Sequence, residues 1–174
     1  MKNERKSIVS SRSFGRKITK ISELKEAVSS FTARAARKLR QDKLKARFLV
    51  VFITSDSSSS ASAHLPLASS YTPDLTSHAN DLIEEIFQQG RAYKRAGVML
   101  GELVHENQMQ YDLFTSDAQS DRKKALMRSL DQINKQFESP MLSFASEGLT
   151  KKWQGLRVHR SPHYTTSWDE LPRC

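Results

Sequence analysis

The chain has 174 residues, is 37% hydrophobic and carries a formal net charge of +9, so it can bury one core of ordinary size with an extension, but not two large cores. Its one thiol, Cys174, is the last residue, which excludes a disulfide framework or a multi-cysteine metal site within one chain and fits a reducing compartment. No apolar stretch approaches a membrane span, and the Lys-rich start is not followed by the apolar segment of a signal peptide, so no membrane attachment and a cytoplasmic location are expected.

The charge is uneven. Residues 1–50 hold 15 Lys/Arg against 4 Asp/Glu, residues 51–120 hold 3 against 9, and residues 121–174 hold 10 against 6. The N-terminal excess, including Lys17, Lys20, Arg34, Arg37, Lys38, Arg40, Lys43, Lys45 and Arg47, is either a solvated helix face or a positive field suited to phosphates.

In chain order, Ser7 to Ser11 with Phe14 reads as a first strand ending at Gly15. A helix follows, with Ser22 as N-cap, Glu23 in its first turn, and Leu24, Val28, Phe31, Ala35 and Leu39 at helical spacing. The continuous apolar, β-branched and aromatic run Phe48 to Thr54 is too short for a typical helix and reads as a central strand. Ser55 to Ala63, Ser-rich and of low complexity, is expected to be a mobile loop. Leu67 to Tyr71 reads as a weak strand stopped by Pro73, and Thr76 or Ser77 can cap a second helix with Leu82, Ile83, Ile86 and Phe87 as its buried stripe and Gly90 at its C-terminal cap. Gly97 to Val104 is the last strand. The order strand, helix, strand, strand, helix, strand predicts an α+β domain over residues 7–106, a four-stranded sheet with two helices on one face and the opposite face free.

Beyond it, residues 107–119 read as a linker containing Gln110-Tyr111-Asp112-Leu113-Phe114. The Gln110 amide can donate and accept hydrogen bonds at a pocket rim, while Leu113 and Phe114 offer two apolar anchors. The acidic residues around this pentapeptide disfavour contact with phosphates. Residues 120–174 read as a small helical module. Its helix starts at Ser120 or Asp121, carries Leu126, Leu130, Ile133 and Phe137 in an apolar stripe with Met127 beside them, and ends at Ser139-Pro140. Met141 to Ala145 reads as a short strand, and Trp153, Tyr164 and Trp168 as aromatics that cap a small core or dock a partner.

Several of these segments, taken in order, resemble one family. Ser11-Arg12-Ser13-Phe14-Gly15 with Thr19 resembles the start of the little-finger domain of UmuC-type (Y-family) translesion DNA polymerases. Ala33-Arg34-Ala35-Ala36-Arg37-Lys38-Leu39-Arg40 resembles its first helix, and Tyr93-Lys94-Arg95-Ala96-Gly97-Val98-Met99-Leu100 the lead-in to its last strand. Gln110 to Phe114 is similar to the sliding-clamp-binding peptide of bacterial replication and repair proteins. Leu126-Met127, Leu130-Asp131, Ile133-Asn134 and the run from Ser161-Pro162 through Tyr164-Thr165-Thr166 and Trp168 to Glu170-Leu171-Pro172 resemble the C-terminal module of that family.

That resemblance implies the βαββαβ fold and a sheet face lying along the major groove of template–primer DNA, where contacts to phosphates position the protein without reading sequence. The DNA contacts expected are Ser11, Arg12, Ser13, Arg16 and Lys17 at the end of the first strand, then Lys94 and Arg95 entering the last; each could instead be an ordinary exposed polar group. The clamp contacts expected are Gln110, Leu113 and Phe114. The resemblance further implies an SOS setting with UmuD-type and recombinase partners. It also implies no catalysis by this chain alone, because the family's metal-holding palm precedes the little finger and this chain begins at the little finger. Ser167-Trp168-Asp169-Glu170 superficially matches a palm motif, but its place in the C-terminal match argues against that role, and a surface loop is expected.

Other chemistry finds no support in the residues. His64, His78, His105, His159 and His163 lack the spacing of a helical zinc site, and neither a nucleophile elbow nor a phosphate-binding Gly-rich loop occurs. No catalytic residue, metal or cofactor is therefore expected. The chain reads as the DNA-binding and clamp-binding part of an error-prone lesion-bypass polymerase, with a stand-alone module that competes for or complements clamp-bound polymerases, or a gene remnant, as the alternatives.

Overall fold

The computed structural model describes residues 5–106, 117–137 and 141–155, with side chains in the middle segment from residue 121 onward. The pentapeptide Gln110 to Phe114 and the Ser161 to Pro172 segment lie outside the described residues.

Six elements build the first hundred residues: β1 (Ser7–Ile18), α1 (Ile21–Gln41), β2 (Leu44–Thr54), β3 (Ser58–Ser69), α2 (Thr72–Ile86) and β4 (Tyr93–His105). The four strands form one antiparallel sheet in the order β1-β4-β2-β3. Alternation along β2 decides the layers. Leu49, Val51 and Ile53 are fully buried while Val50, Phe52 and Thr54 are only half-buried, because successive side chains point to opposite faces. The first set packs with Ala96, Val98 and Leu100 of β4 against Leu24, Val28, Phe31 and Leu39 of α1 and Leu75, Ala79 and Ile83 of α2. Both helices therefore share one face, as the element order predicts, and the other is left open. A Lys25–Glu84 ion pair bridges the two helices at their surface.

Several local expectations are corrected by tertiary context. β1 runs past Gly15 to Ile18, through an irregularity in its pairing with β4 between Ser13 and Ile18. Ile18 is fully buried, so the chain turns into α1 directly after it; Lys20 is the N-cap and Ser22 lies inside the first turn. Only residues 55–57 of the Ser-rich segment form a loop; the rest is strand. Residues Ser58 to His64 of β3 pair with Thr54 to Phe48 of β2, because a sheet edge bonds through backbone groups and accepts small polar side chains. Pro66 is tolerated in this strand where the register shifts between the Phe48–His64 and Ala46–Ser69 pairs.

Pro73 stops no strand: it sits in the first turn of α2, where its missing N–H costs nothing. The helix consequently begins at Thr72 with Tyr71 as its N-cap, and Thr76 and Ser77 are interior. It ends at Ile86 with Phe87 as C-cap. Gly90, with φ of +85°, turns the chain between helix and β4, where the Arg91 N–H donates to the Gln88 carbonyl at 3.3 Å.

A third helix, α3 (Asp117–Lys135), and the segment 141–155 lie on this domain. Arg40 of α1 forms a two-pronged pair with Asp131, its Nε to Oδ2 at 2.6 Å and its Nη2 to Oδ1 at 2.8 Å. The same guanidinium donates through Nη1 to the Ser70 carbonyl and the Thr72 hydroxyl. Lys123 adds an ion pair to Asp74 at 3.0 Å, and its ammonium lies 4.9 Å from the centre of the Tyr71 ring. Met127 and Asn134 are buried, whereas Leu126, Ile133 and Phe137 are exposed; the helix docks beside its apolar stripe, through a face carrying Asp131.

Residues 141–144 join no strand ladder, and a short 3-10 turn follows at Ala145–Glu147. Trp153 is fully buried edge-on to Phe31 at 5.3 Å and to Phe14 at 6.2 Å, and its carbonyl accepts from the Gly15 N–H at 3.1 Å. It completes the core of the sheet domain, and Tyr164 and Trp168 lie outside the described residues.

Candidate nucleic-acid interface

Pairing register, unreadable in the sequence, assembles the open face row by row. One row holds Ser13, Arg95, Thr54 and Ser58 across β1, β4, β2 and β3, and the next holds Ser11, Gly97, Phe52 and Ser60. Beyond them come Val9, Met99, Val50 and Ser62, then Ser7, Gly101, Phe48 and His64. The face thus has an apolar centre between two serine-lined edges. At its far end His64 stacks obliquely on Phe48 at 4.7 Å, and its Nδ1 lies 3.6 Å from Glu102. Arg95 stands at the opposite end, which gives the face an electrostatic direction.

The expected contact residues fall into three groups. Ser11, Ser13 and Arg95 come together on the open face; the Arg95 Nη2 donates to the Ser11 Oγ at 3.0 Å, and its guanidinium lies 6.0 Å from the centre of the Phe52 ring. Lys94 and Lys17 share a second locality around Asp56. Lys94 donates to the Asp56 carboxylate at 2.9 Å. That hydrogen bond first, then the Lys94 charge, with smaller effects from Lys17 and Arg91, hold Asp56 below the usual carboxylate range. Arg16 is likewise paired, with Glu23 at 2.7 Å.

Arg12 belongs to the third group. Strand alternation turns it away from Ser11 and Ser13, onto the side of β1 that carries Ile8 and Ser10. There it raises the local positive potential together with Arg34 and Arg37. Partial desolvation first, then Arg12 and Arg37, hold Arg34 below the ordinary arginine value, while Glu147 opposes them. Most residues of the open face were not among the contacts expected, Phe52 and Gly97 among them. Phe48, Val50 and Phe52 do share one strand face by period 2, but an unbroken apolar run conceals which side stays open.

Such a surface can meet a phosphate backbone through Arg95 and hydroxyls. Among the described residues no group of three or more His, Cys, Asp or Glu could hold a metal ion, and no helix is long and apolar enough to cross a membrane.

Comparison with known proteins agrees with this fold. The model of the impB/mucB/samB family C-terminal domain matches residues 5–113, and a domain of unknown function (DUF4113) matches residues 124–174. Protein UmuC of Salmonella typhimurium is 33% identical, over 95% of this chain and 41% of that protein. Protein MucB of the same organism is 34% identical, over 95% and 41%. The chain thus spans about two fifths of the length of these curated relatives. In three dimensions, a DinB family error prone DNA polymerase from Sulfolobus solfataricus matches 57% of this chain and 30% of its own, with a TM-score of 0.51 at 13% identity. The chain belongs to the impB/mucB/samB family and carries its C-terminal domain, with a fold like that of the matching part of the Sulfolobus enzyme.

Proposed function

We propose that this chain is the DNA-binding and sliding-clamp-binding part of a lesion-bypass DNA polymerase, and that the chain by itself is not catalytic. The observation that carries the reading is the open sheet face on which Ser11, Ser13 and Arg95 converge, within a domain of a family whose relatives include UmuC and MucB. The face meets phosphates of the template–primer duplex, with Lys17 and Lys94 at its end and Arg16 beside it, while Arg12 adds positive potential from the other side of β1. Gln110, Leu113 and Phe114 form the clamp peptide in the linker 107–119, between the little finger at 7–106 and the module at 120–174. A UmuD-type subunit and a recombinase filament are further partners in a cytoplasmic SOS response.

Attachment makes two weak contacts cooperate. A clamp peptide of micromolar affinity corresponds to about −8 kcal/mol. Once either contact is made, the other becomes intramolecular, and avidity exceeds both. The Leu113→Ala/Phe114→Ala double variant is expected to lose clamp binding in a pull-down while keeping its duplex affinity; retained clamp binding would refute the role of the pentapeptide.

A further inference from the structure

Among the described residues Arg95 has no carboxylate partner. Lys94 and Arg16, two others expected at DNA, are paired with carboxylates, whereas the partners of Arg95 are the uncharged Ser11 hydroxyl and the face of Phe52. Gly97 makes that arrangement possible. It lies between Ser11 and Phe52 in the register, and a Cβ built on it would run into the Phe52 ring and the Ser11 Cβ. Without a side chain at 97, the ring lies over β4 and reaches Arg95, two residues away.

We propose that Ser11, Phe52 and Gly97 are positioning residues for Arg95: they hold its guanidinium at the end of the open face with its charge unneutralised, and thereby set the affinity for a nucleic-acid phosphate. The inference rests on the DNA-binding reading above. Its physical basis is preorganisation. An arginine side chain has many rotamers, and fixing it before the ligand arrives removes part of the entropy cost of binding. A carboxylate would fix it equally well but would compete with the phosphate. A hydroxyl oxygen and an aromatic face attract the guanidinium while leaving its charge for the ligand.

The test uses the full chain and a fluorescent primer–template duplex, with affinity measured across a salt series and folding checked by thermal unfolding. Arg95→Ala is expected to weaken binding and to reduce the slope of log affinity against log salt by about 1. Phe52→Leu keeps an apolar side chain but no aromatic face, and is expected to weaken binding about two- to five-fold, the range of an exposed cation–aromatic contact; Phe52→Tyr restores it. The decisive measurement is the Phe52→Leu/Arg95→Ala double variant, expected to bind no worse than Arg95→Ala alone. Additive losses would overturn the inference, since Phe52 would then act without Arg95. An unchanged Phe52→Leu beside a weakened Arg95→Ala would overturn it too, leaving the DNA reading intact. An Arg95→Ala variant with unaltered binding would refute the open-face reading itself.

Discussion

Lys94 and Arg95 are consecutive on β4, yet they stand in different electrostatic states. The Lys94 ammonium is engaged by Asp56 at 2.9 Å, and Asp56 is held below the usual carboxylate range chiefly by that bond and charge, so it remains ionised at neutral pH. A phosphate approaching Lys94 must displace or tolerate this carboxylate. Exposed pairs are weak and salt-screened, so the competition is modest and greatest at low ionic strength. Asp56→Asn is therefore expected to raise duplex affinity about two- to three-fold at ~0.05 M salt, with the gain shrinking as salt rises; fluorescence anisotropy across a salt series checks it. A loss of affinity would instead mean that Asp56 orients Lys94 productively.

At the scale of elements, β3 departs furthest from what its composition suggests. Ser58 to Ala63 has little apolar area with which to bury itself, yet residues 58–64 pair one for one with β2. The driving force resides in the partner: β2 is apolar and held on its other edge by β4, and it presents a ready row of backbone donors and acceptors. Such an edge strand has a direct experimental signature. In hydrogen exchange, alternate amides of residues 58–64, those directed at β2, should be protected, while their neighbours exchange at near-unfolded rates. Uniformly fast exchange across this segment would restore the loop reading. The helix starts obey the same logic, since Ile18 and Pro73 constrain the chain more tightly than the capping preference of Ser22, Thr76 or Ser77 does.

Across the whole molecule, the described part of the C-terminal third is fastened to the sheet domain by chemically distinct contacts. Asp131 meets Arg40, Lys123 meets Asp74, and Trp153 enters the core between Phe14 and Phe31. Segment 141–155 also covers part of the exposed edge of β1, through the bond from Gly15 to Trp153. Loss of a large buried aromatic typically costs about 3–5 kcal/mol, so Trp153→Ala should lower the stability of the entire sheet domain by about that amount, in a single urea transition. An unshifted main transition would mean that residues 141–155 fold independently of it. A clean single transition would also fit the way Arg40 ties α1, the β3–α2 connection and α3 together through Asp131, Ser70 and Thr72.

The helix and strand order, the apolar central strand, the core residues of α1 and the location of the basic excess were all legible in the sequence, because each depends on local periodicity and composition. Leu24, Val28, Phe31 and Leu39 carry a 3.6-residue repeat whatever surrounds them, and a continuous apolar run such as Phe48 to Thr54 has few other fates. The family, too, was legible, since its motifs are strings of residues in order. What required the tertiary structure is everything set by pairing across the chain: that a serine-rich stretch is a strand, that Trp153 belongs to the sheet domain, and that Arg12 turns from the face its neighbours Ser11 and Ser13 share with Arg95. The same holds for Phe52 over Gly97, 45 positions apart in sequence and opposite each other in the sheet. Local sequence sets which side chains lie on a common face, but strand register, a property of two segments together, decides which of them meet.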